Sequence, residues 1–411
     1  MNAVPASPGI GTFDQRDPAV WTDPYPVYAR FRAADPVHCV RSAPGEPGVW
    51  YVFRHADVLK VRRSRGLSRA ARHRRLCAGP APDSLFRYSE KLSHWMVERD
   101  APDHARLRAA VAEVFAPDAA RALAARTGEI ADELLDGIVP LGRADLMTAF
   151  AFPLPLLVIS EVIGLPREDW PTLLRWSRAF SELENRRPTL ALYTEAGDAI
   201  DAFDAYLREL LGHRRRGPRR DDALGRVLDA RRRGALTEDD AVGTLMLLLF
   251  AGHETTANLI GNGVHTLLSH PGQLRLLRER PGLMESAVEE MLRYESPVQT
   301  VSIGHVREPF TLGGRTLLPG DRVMPVLGSA NRDERVFSAP DRFDITRSDL
   351  RHAAFGTGVH TCLGAMLARV EGRAAFSALL RRLPGLRAGD APARWREGLL
   401  TRELAELPVT F

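Results

Sequence analysis

Cys362 is the residue whose surroundings point most directly to chemistry. It lies in the segment Phe-Gly-Thr-Gly-Val-His-Thr-Cys-Leu-Gly, residues 355–364, which precedes a helical pattern of apolar residues. At a helix N-terminus, the macrodipole and the free backbone N–H groups stabilise a thiolate. Gly356 and Gly358 allow the loop to approach a flat ligand closely. An isolated cysteine is more often a small buried hydrophobe, but the whole segment favours a metal site with one sulfur ligand.

The three cysteines form no other familiar site. Cys39, Cys77 and Cys362 lie too far apart for a CxxC metal or redox motif. Their odd number also argues against the disulfide framework of a secreted protein. If one cysteine has a chemical role, it acts alone.

A second group of polar side chains, Gly-His-Glu-Thr-Thr at residues 252–256, follows an apolar run. Polar residues inside a buried helix cost stability unless they have partners. A zinc protease would need a second histidine at position 257, where this chain has Ala257. The metalloprotease interpretation therefore fails.

The hydroxyl of Thr255 offers a different explanation. It can donate to the carbonyl of Ala251, four residues earlier, which bends a helix and opens a groove, most easily beside a glycine. A hydroxyl next to the carboxylate of Glu254 in such a groove can relay protons. The alternative is a structural kink that Thr255 satisfies, with Glu254 turned to solvent.

The helix that carries these residues has clear ends. Thr237 is a good N-cap, acidic residues follow it, and His270-Pro271 ends the pattern. At about 1.5 Å per residue the helix is roughly 45 Å long, enough to cross a whole domain.

Short strand-like runs predict a small subsidiary sheet. They lie at residues 49–53, 310–317 and 323–327, with Gly313-Gly314 as a hairpin turn. Helical patterns dominate elsewhere, without an internal repeat or a low-complexity linker. We therefore predict one mainly α domain with small β-sheets over residues 1–411.

Composition fits an ordinary globular protein. The chain has 411 residues, 45% hydrophobic and 26% charged. No stretch approaches the roughly 20 apolar residues that span a bilayer, and the first residues lack the pattern of a signal peptide. We expect a cytoplasmic protein.

Nearly all of the basic residues are arginines. The densest run comprises Arg62, Arg63, Arg65, Arg69, Arg72, Arg74 and Arg75. Such a run could contact an anionic partner or nucleic acid. No nucleic-acid motif accompanies it, so we favour a solvated surface or coding bias.

The segment around Cys362 resembles the haem-binding signature of the cytochrome P450s, and the resemblance extends over essentially the whole chain. Residues 251–256 resemble the family's oxygen-activating motif, with Glu254 and Thr255 as its acid and alcohol. The resemblance implies a mainly α fold whose long central helix crosses over a buried haem. It also implies haem b, iron protoporphyrin IX, with Cys362 as thiolate ligand, and no fused reductase.

Glu290-Met291-Leu292-Arg293 resembles the ExxR element of the family. Glu290 and Arg293 stand three apart on one helix face and can pair. By the resemblance, Arg342 of the segment Pro-Asp-Arg-Phe would complete a Glu-Arg-Arg cluster.

The resemblance further implies residues that hold the haem. His104 and Arg108 would hold its propionates, and His352 and His360 are additional candidates. Phe355 and Gly364 belong to the signature loop.

One departure concerns a propionate ligand. Family members usually carry an arginine in the strand before the Gly313-Gly314 hairpin, where this chain has Ile303 or Gly304. His305 is the nearest replacement, and histidine loses its charge across physiological pH. We therefore expect weaker or more pH-dependent haem retention, unless His104, Arg108 and His360 carry the anchoring.

The resemblance implies a monooxygenase that inserts one oxygen atom from O2 into a small organic substrate, in natural-product tailoring in a GC-rich bacterium. One alternative is a haem-thiolate oxidase that couples aromatic rings or otherwise oxidises without net oxygen insertion. Another is a non-catalytic haem protein that senses gases.

A separate ferredoxin and ferredoxin reductase would supply the electrons, docking near Arg99, Arg106, Arg351 and Arg369. We expect a monomer that contacts neither nucleic acid nor membrane. Family topology suggests pocket residues that would be equally at home in a core: Trp95, Met96, Val97, Leu247, Leu248, Ala251, Val298, Val301, Ser302 and Leu400.

Residues 64–95 and 176–200 are expected to form a mobile roof. Their arginines could receive an anionic substrate or an acidic carrier protein that presents it: Arg175, Arg178, Arg186 and Arg187. The alternative is a solvated helix face.

Overall fold

The structure is a computed structural model, and it describes residues 10–43, 45–64, 66–70, 83–186, 189–398 and 400–411. Arg65, Arg72, Arg74, Arg75, Cys77 and Arg187 lie outside these ranges.

Helices dominate, as predicted. In chain order they are α1 (Pro18–Thr22), α2 (Pro24–Ala34), α3 (His55–Arg62), α4 (Asp83–Ser93), α5 (Asp103–Val111), α6 (Pro117–Ala122), α7 (Ala124–Ile138), α8 (Pro153–Ile163), α9 (Trp170–Asn185), α10 (Leu190–Arg216), α11 (Ala223–Arg232), α12 (Glu238–Ser269), α13 (Pro271–Glu279), α14 (Met284–Tyr294), α15 (Leu327–Ala330) and α16 (Ala365–Arg382).

The strands are short, which confirms the predicted small sheets. In chain order they are β1 (Val37–Val40), β2 (Val49–Val52), β3 (Leu67–Ser68), β4 (Arg143–Asp145), β5 (His305–Val306), β6 (Phe310–Leu312), β7 (Arg315–Leu317), β8 (Arg322–Pro325), β9 (Arg387–Ala388), β10 (Arg394–Trp395), β11 (Leu404–Glu406) and β12 (Pro408–Thr410). Gly313 and Gly314 form the predicted turn between β6 and β7, with φ angles of 55° and 76°. Such a turn needs positive φ at both residues. Within the described ranges, no helix has the length and hydrophobicity that a bilayer crossing requires.

The residues group into two compact units, each assembled from separate stretches of chain. The sheet unit comprises the described residues of 1–71, 262–362 and 393–405. The helical unit comprises those of 72–261, 363–392 and 406–411. That the whole chain forms one domain stays a prediction.

A five-stranded sheet is the framework of the sheet unit. Its strand order is β1-β2-β8-β5-β3, in which β2 and β8 run parallel and the other neighbours antiparallel. Trp50, Val52 and Val323 are buried in the apolar cluster on this sheet. The Trp50 indole N–H and the Gly48 amide both donate to Asp321 at 2.7 Å. The sheet therefore has an apolar core, and Asp321 accepts hydrogen bonds from polar groups at its edge.

In the helical unit, α12 begins directly after Thr237, and the helix ends at Ser269. Thr237 Oγ1 accepts the Asp240 N–H at 3.1 Å, and Asp240 Oδ2 accepts the Thr237 N–H at 3.2 Å. This reciprocal capping box satisfies two backbone donors that the helix leaves open. Both predicted ends of the helix are confirmed.

The middle of α12 approaches α8 closely. Leu245, Met246 and Leu249 are fully buried. A Cβ on Gly252 would lie 2.8 Å from Ile159 Cγ1 of α8, closer than carbon atoms tolerate. Glycine at position 252 therefore sets the distance between the two helices.

Glu290 and Arg293 form the predicted pair on α14. Arg293 Nε and Nη2 donate to the Glu290 carboxylate at 2.7 and 2.8 Å, and both side chains are fully buried. Arg293 Nη1 also donates to the carbonyls of Asn331 and Pro340 at 2.9 and 2.8 Å. The pair thus joins α14 to the long segment that follows α15.

The prediction that Arg342 completes this cluster is wrong. Arg342 turns its carbonyl toward Arg293, at 3.3 Å from Nη2, so its side chain points outward, 70% exposed and paired with Asp344. Arg347 takes its place, with Nε 3.2 Å from Glu290 Oε2 and a side chain only 10% exposed.

We predict that Arg347→Met lowers the free energy of unfolding by about 1–3 kcal/mol, because it removes a cation from a buried carboxylate. Arg342→Met is the matched control and should change it by less than about 0.5 kcal/mol, since its guanidinium is exposed. Urea unfolding followed by fluorescence measures both. Equal losses would contradict the assignment of Arg347 to the cluster.

Candidate active site

The loop before α16 holds Cys362 in a defined turn. The Cys362 N–H donates to the Phe355 carbonyl at 2.9 Å, and Thr361 Oγ1 donates to the Gly358 carbonyl at 2.6 Å. Gly356 and Gly358 have φ angles of 66° and 78°, which other residues rarely adopt. The shape of this loop, the thiolate loop (355–364), therefore depends on its two glycines.

The thiol of Cys362 is accessible. Cys362 is an exposed cysteine, and Gly364 caps the N-terminus of α16 two residues later. A haem iron with one sulfur ligand needs an accessible thiol beside a helix N-terminus and a loop that leaves room for a flat ring. The thiolate loop fits that group.

The other predicted haem contacts of the sheet unit differ in their surroundings. His352 Nε2 lies 3.1 Å from Glu289 Oε2, with the side chain only 2% exposed. The rings of His352 and Phe355 are 6.0 Å apart. His360 is partly buried in the thiolate loop, and His305 is partly buried in β5. A carboxylate therefore already contacts His352.

In the helical unit, His104 and Arg108 lie one turn apart on α5. His104 is 5% exposed, and Arg108 is partly buried. Residues four apart face the same side of a helix. Both side chains can therefore reach one anionic ligand from α5.

The hydroxyl of Thr255 makes the predicted bond. Thr255 Oγ1 donates to the Ala251 carbonyl at 2.9 Å. Ala251 is exposed, and Leu247 and Thr255, one turn to either side, are partly exposed, whereas Ala257 is fully buried. An open stripe therefore runs along a helix that is otherwise buried, and it carries the hydroxyl.

Glu254 does not turn to solvent, as the structural alternative would require. It is partly buried, and Ser181 Oγ of α9 donates to Glu254 Oε1. Asn185 Nδ2 donates in turn to Ser181 Oγ at 3.3 Å. Ser181 was missed because no local pattern links two residues that lie 73 apart in sequence.

His253 has a structural role. Its Nδ1 lies 3.0 Å from Ser177 Oγ of α9. Burial, and then the positive charge of Arg178, lower the pKa of His253 to about 3. The ring is therefore neutral, and it fixes α12 against α9 beside Glu254.

The predicted pocket residues fall into two sets. In the helical unit, Trp95 stacks on Phe250 with ring centroids 5.5 Å apart, Met96 and Leu248 are buried, and Val97 and Leu247 are partly buried. In the sheet unit, Val298 and Val301 pack on the apolar cluster, Ser302 Oγ accepts from Arg322 at 3.2 Å, and the Leu400 carbonyl accepts the Gln299 N–H at 2.7 Å.

Sequence reasoning also missed Glu371, on α16. Its side chain is 1% exposed, and the Thr256 hydroxyl of α12 lies beside it. Burial raises the pKa of Glu371 well above its usual range, and Thr256 offsets only part of that rise. Glu371 is therefore a neutral acid next to the hydroxyl that follows Thr255.

Comparison with known proteins agrees with this geometry. Residues 185–385 match the family model of the cytochrome P450s. The monooxygenase PikC of Streptomyces venezuelae is 39% identical over 398 residues, covering 95% of this chain and 91% of PikC. The crystal structure of CalO2 superposes with a TM-score of 0.90 at 38% identity, over 97% of this chain and 98% of CalO2. P450BioI, crystallised with an acyl carrier protein bearing hexadec-9Z-enoic acid, gives 0.88 at 35% identity, over 95% and 99%.

We predict that Glu371→Gln stabilises the protein increasingly as pH rises. The raised pKa means that the native carboxyl holds its proton above about pH 4.3, where the unfolded carboxyl loses it. The parent therefore loses stability with rising pH, and the isosteric amide does not. Urea unfolding of both proteins between about pH 5 and pH 8 measures the difference, and a constant difference would contradict a neutral Glu371.

Proposed function

This chain belongs to the cytochrome P450s, and from that membership we propose that it inserts one oxygen atom from O2 into a small organic molecule in natural-product tailoring. It is an enzyme of a monooxygenase family with a cysteine-ligated haem. In the proposed reaction, a substrate C–H bond, dioxygen, two electrons and two protons give an alcohol and water. Epoxidation of an alkene has the same balance.

The acid and the alcohol on α12 carry this proposal. Oxygen insertion needs protons delivered at the open stripe of that helix. Thr255 stands on the stripe with its own proton committed to the Ala251 carbonyl, so its oxygen is left to accept a further donor. Glu254, the preceding residue, is held by Ser181 at the side of the helix.

Glu254 and Thr255 thus divide the work of proton transfer. The carboxylate of Glu254 takes a proton from solvent and passes it toward Thr255 Oγ1, and Ser181 keeps the carboxylate in position. Positioned acids and bases of this kind contribute roughly a hundredfold or more to a rate. His253 stays neutral and supplies no charge to the stripe.

Cys362 is proposed to supply the sulfur ligand of a haem iron. When bound through this sulfur, a haem supplies the reductive activation of dioxygen, which thiolate ligation favours. His104 and Arg108 of α5 are proposed to hold the haem carboxylates, and His360 of the thiolate loop is a further candidate. His352 is a weaker candidate because Glu289 contacts its Nε2.

The substrate is proposed to be mainly apolar. The pocket residues offer aromatic and aliphatic surface from Trp95, Met96 and Leu248 in the helical unit. Apolar walls with few polar groups are typical of small-molecule sites. The polyketide biosynthesis cytochrome P450 PksS of Bacillus subtilis, 35% identical over 95% of this chain, supports tailoring as the setting.

Presentation of the substrate by a carrier protein is a further proposal. P450BioI was crystallised with an acyl carrier protein. On α9 of this chain, Arg175 and Arg178 are exposed, and Arg186 is about half exposed beside Glu182. Exposed arginines spaced along one helix suit an acidic partner.

A separate ferredoxin and its reductase are proposed to supply the electrons. Of the arginines predicted to dock the ferredoxin, Arg351 is exposed and pairs with its neighbour Asp349. Arg106 instead donates to Asp240 and to the Ala235 carbonyl at 2.7 and 2.8 Å. Arg106 is therefore less available to a partner than Arg351.

We predict that Thr255→Val lowers the yield of oxygenated product per O2 consumed by roughly a hundredfold, because the side chain keeps its shape and loses its oxygen. Thr255→Ser is the control and should keep most of the coupling. The measurement needs a bound compound, found by screening small molecules for a substrate-induced shift of the Soret band. Unchanged coupling in Thr255→Val would contradict the proposed role of Thr255 in proton transfer.

We predict that Cys362→Ser abolishes the thiolate-type Soret band of the ferrous carbon monoxide complex, because a serine oxygen replaces the sulfur. Cys39→Ser, at a partly buried thiol in β1, is the control and should keep that band. The band surviving in Cys362→Ser would refute the ligand assignment.

A further inference from the structure

Neither position 303 nor position 304, where family members carry an arginine before the Gly313-Gly314 hairpin, can hold a cationic side chain. Ile303 is 6% exposed and belongs to the apolar cluster of the sheet unit. Gly304 has a φ of 110°, a conformation that side-chain-bearing residues avoid. A Cβ on Gly304 would also lie 2.5 Å from the Ser68 carbonyl oxygen and 3.0 Å from the Arg69 nitrogen. The backbone of the neighbouring segment closes this position.

That neighbouring segment carries an arginine of its own. β3 and β5 pair antiparallel, with Ser68 opposite His305 and Leu67 opposite Val306. Extending this register by one residue sets Arg69 opposite Gly304, in agreement with the contact to the Arg69 nitrogen. Residues directly opposite in an antiparallel pair have their side chains close together. Arg69 therefore offers a guanidinium beside the position at which the family has one.

Arg69 is also close to the thiolate loop, through Arg62 of α3. Burial, and then Arg69, lower the pKa of Arg62 to about 10, whereas the thiol of Cys362 raises it. A Cβ on Gly356 would lie 2.5 Å from Arg62 Cζ, so this guanidinium lies directly on the loop. Arg62, Arg69 and the thiolate loop therefore lie within electrostatic reach of one another.

Burial and the positive charge of Arg69 both disfavour the charged form of Arg62. The Arg62 Nε–H is buried and has no acceptor among the described residues. An anion at this place would relieve both costs. Arginine binds carboxylates through two parallel hydrogen bonds, which makes it well suited to a carboxylate held beside a metal.

We propose that Arg69, with Arg62 beside it, binds a haem propionate and replaces the arginine that Gly304 cannot supply. This inference rests on the proposed haem-thiolate function. It assigns an anchoring role to two members of the basic run, and it makes His305 dispensable for anchoring. Because arginine keeps its charge at all physiological pH values, haem retention should not depend on pH between about 6 and 8, where a histidine would titrate.

The test compares haem loss from the holoenzymes of the parent, Arg69→Met, Arg62→Met, Arg63→Met and His305→Ala, measured as haem transfer to excess apomyoglobin. Arg63 ends α3 and is exposed, so its variant is the matched control. Arg69→Met should lose haem roughly ten- to a hundred-fold faster, the effect of one charge-assisted hydrogen bond, and Arg62→Met should show a smaller increase. Arg63→Met and His305→Ala should match the parent at every pH.

A second measurement separates anchoring from a general loss of structure. Each apoprotein is reconstituted with haem or with its dimethyl ester, which has no propionate charge. If Arg69 binds a propionate, the parent and Arg69→Met should lose the ester at equal rates, and Arg69→Lys should recover part of the retention of ordinary haem. Faster loss of the ester from Arg69→Met would indicate mere destabilisation and overturn the proposal.

Two further results would overturn the inference. One is haem loss from Arg69→Met at the parent's rate, and the other is accelerated loss confined to His305→Ala. Failure of the proposed function is a separate outcome, since the parent itself would then show no thiolate-type Soret band. The inference fails only in a parent that has that band.

Discussion

The buried pair of Glu290 and Arg293 is the interaction on which the geometry of the thiolate loop depends. Arg293 fixes the Asn331 carbonyl at 2.9 Å, and the Asn331 side-chain oxygen accepts the Ala353 N–H at 2.6 Å. Two residues later, the Phe355 carbonyl accepts the Cys362 N–H. Three hydrogen bonds and a short stretch of backbone therefore connect a fully buried ion pair to the cysteine. A buried ion pair is weak evidence of stability but can specify a unique arrangement, and here it specifies where the chain turns before the sulfur.

The helix α12 faces a different constraint, because it carries polar side chains through an apolar interior. Several of its central polar side chains have identifiable partners. Thr255 bonds to its own helix, Glu254 and His253 take hydroxyl partners from α9, and Glu371 beside Thr256 stays neutral. Only Thr255 and Glu254 keep partial exposure. Glu254 and Thr255, the two residues proposed to transfer protons, are thus the two of this group that stay partly exposed.

Local spacing predicted much of this structure. The Thr237 cap, the end of α12 before His270, the Gly313-Gly314 turn and the bond from Thr255 to Ala251 all depend on residues within four positions of one another. The wrong prediction and the missed residues involve contacts between residues that lie much farther apart in sequence. The prediction of Arg342, made from the resemblance of residues 340–343 to a family motif, is wrong because the sequence does not reveal which nearby arginine the chain turns inward after Pro340. Ser181 and Arg69 could not be found from spacing at all, since helix packing brings the first to Glu254 and strand pairing brings the second to Gly304.

The proposed replacement of the family's arginine by Arg69 would keep a functional charge at the site while moving it to the neighbouring strand. In an antiparallel pair, neighbouring strands can supply a side chain to nearly the same region, so a cation lost from one strand can be replaced from the other. Such a replacement requires space between the two strands. Gly304 provides it, because any side chain at position 304 would collide with the backbone at Ser68 and Arg69. In this proposal, Gly304 leaves the space that Arg69 needs, so the two residues depend on each other. Considered alone, the missing arginine indicates a weaker propionate site. Considered together with the neighbouring strand, it indicates a propionate site whose charge is supplied by Arg69.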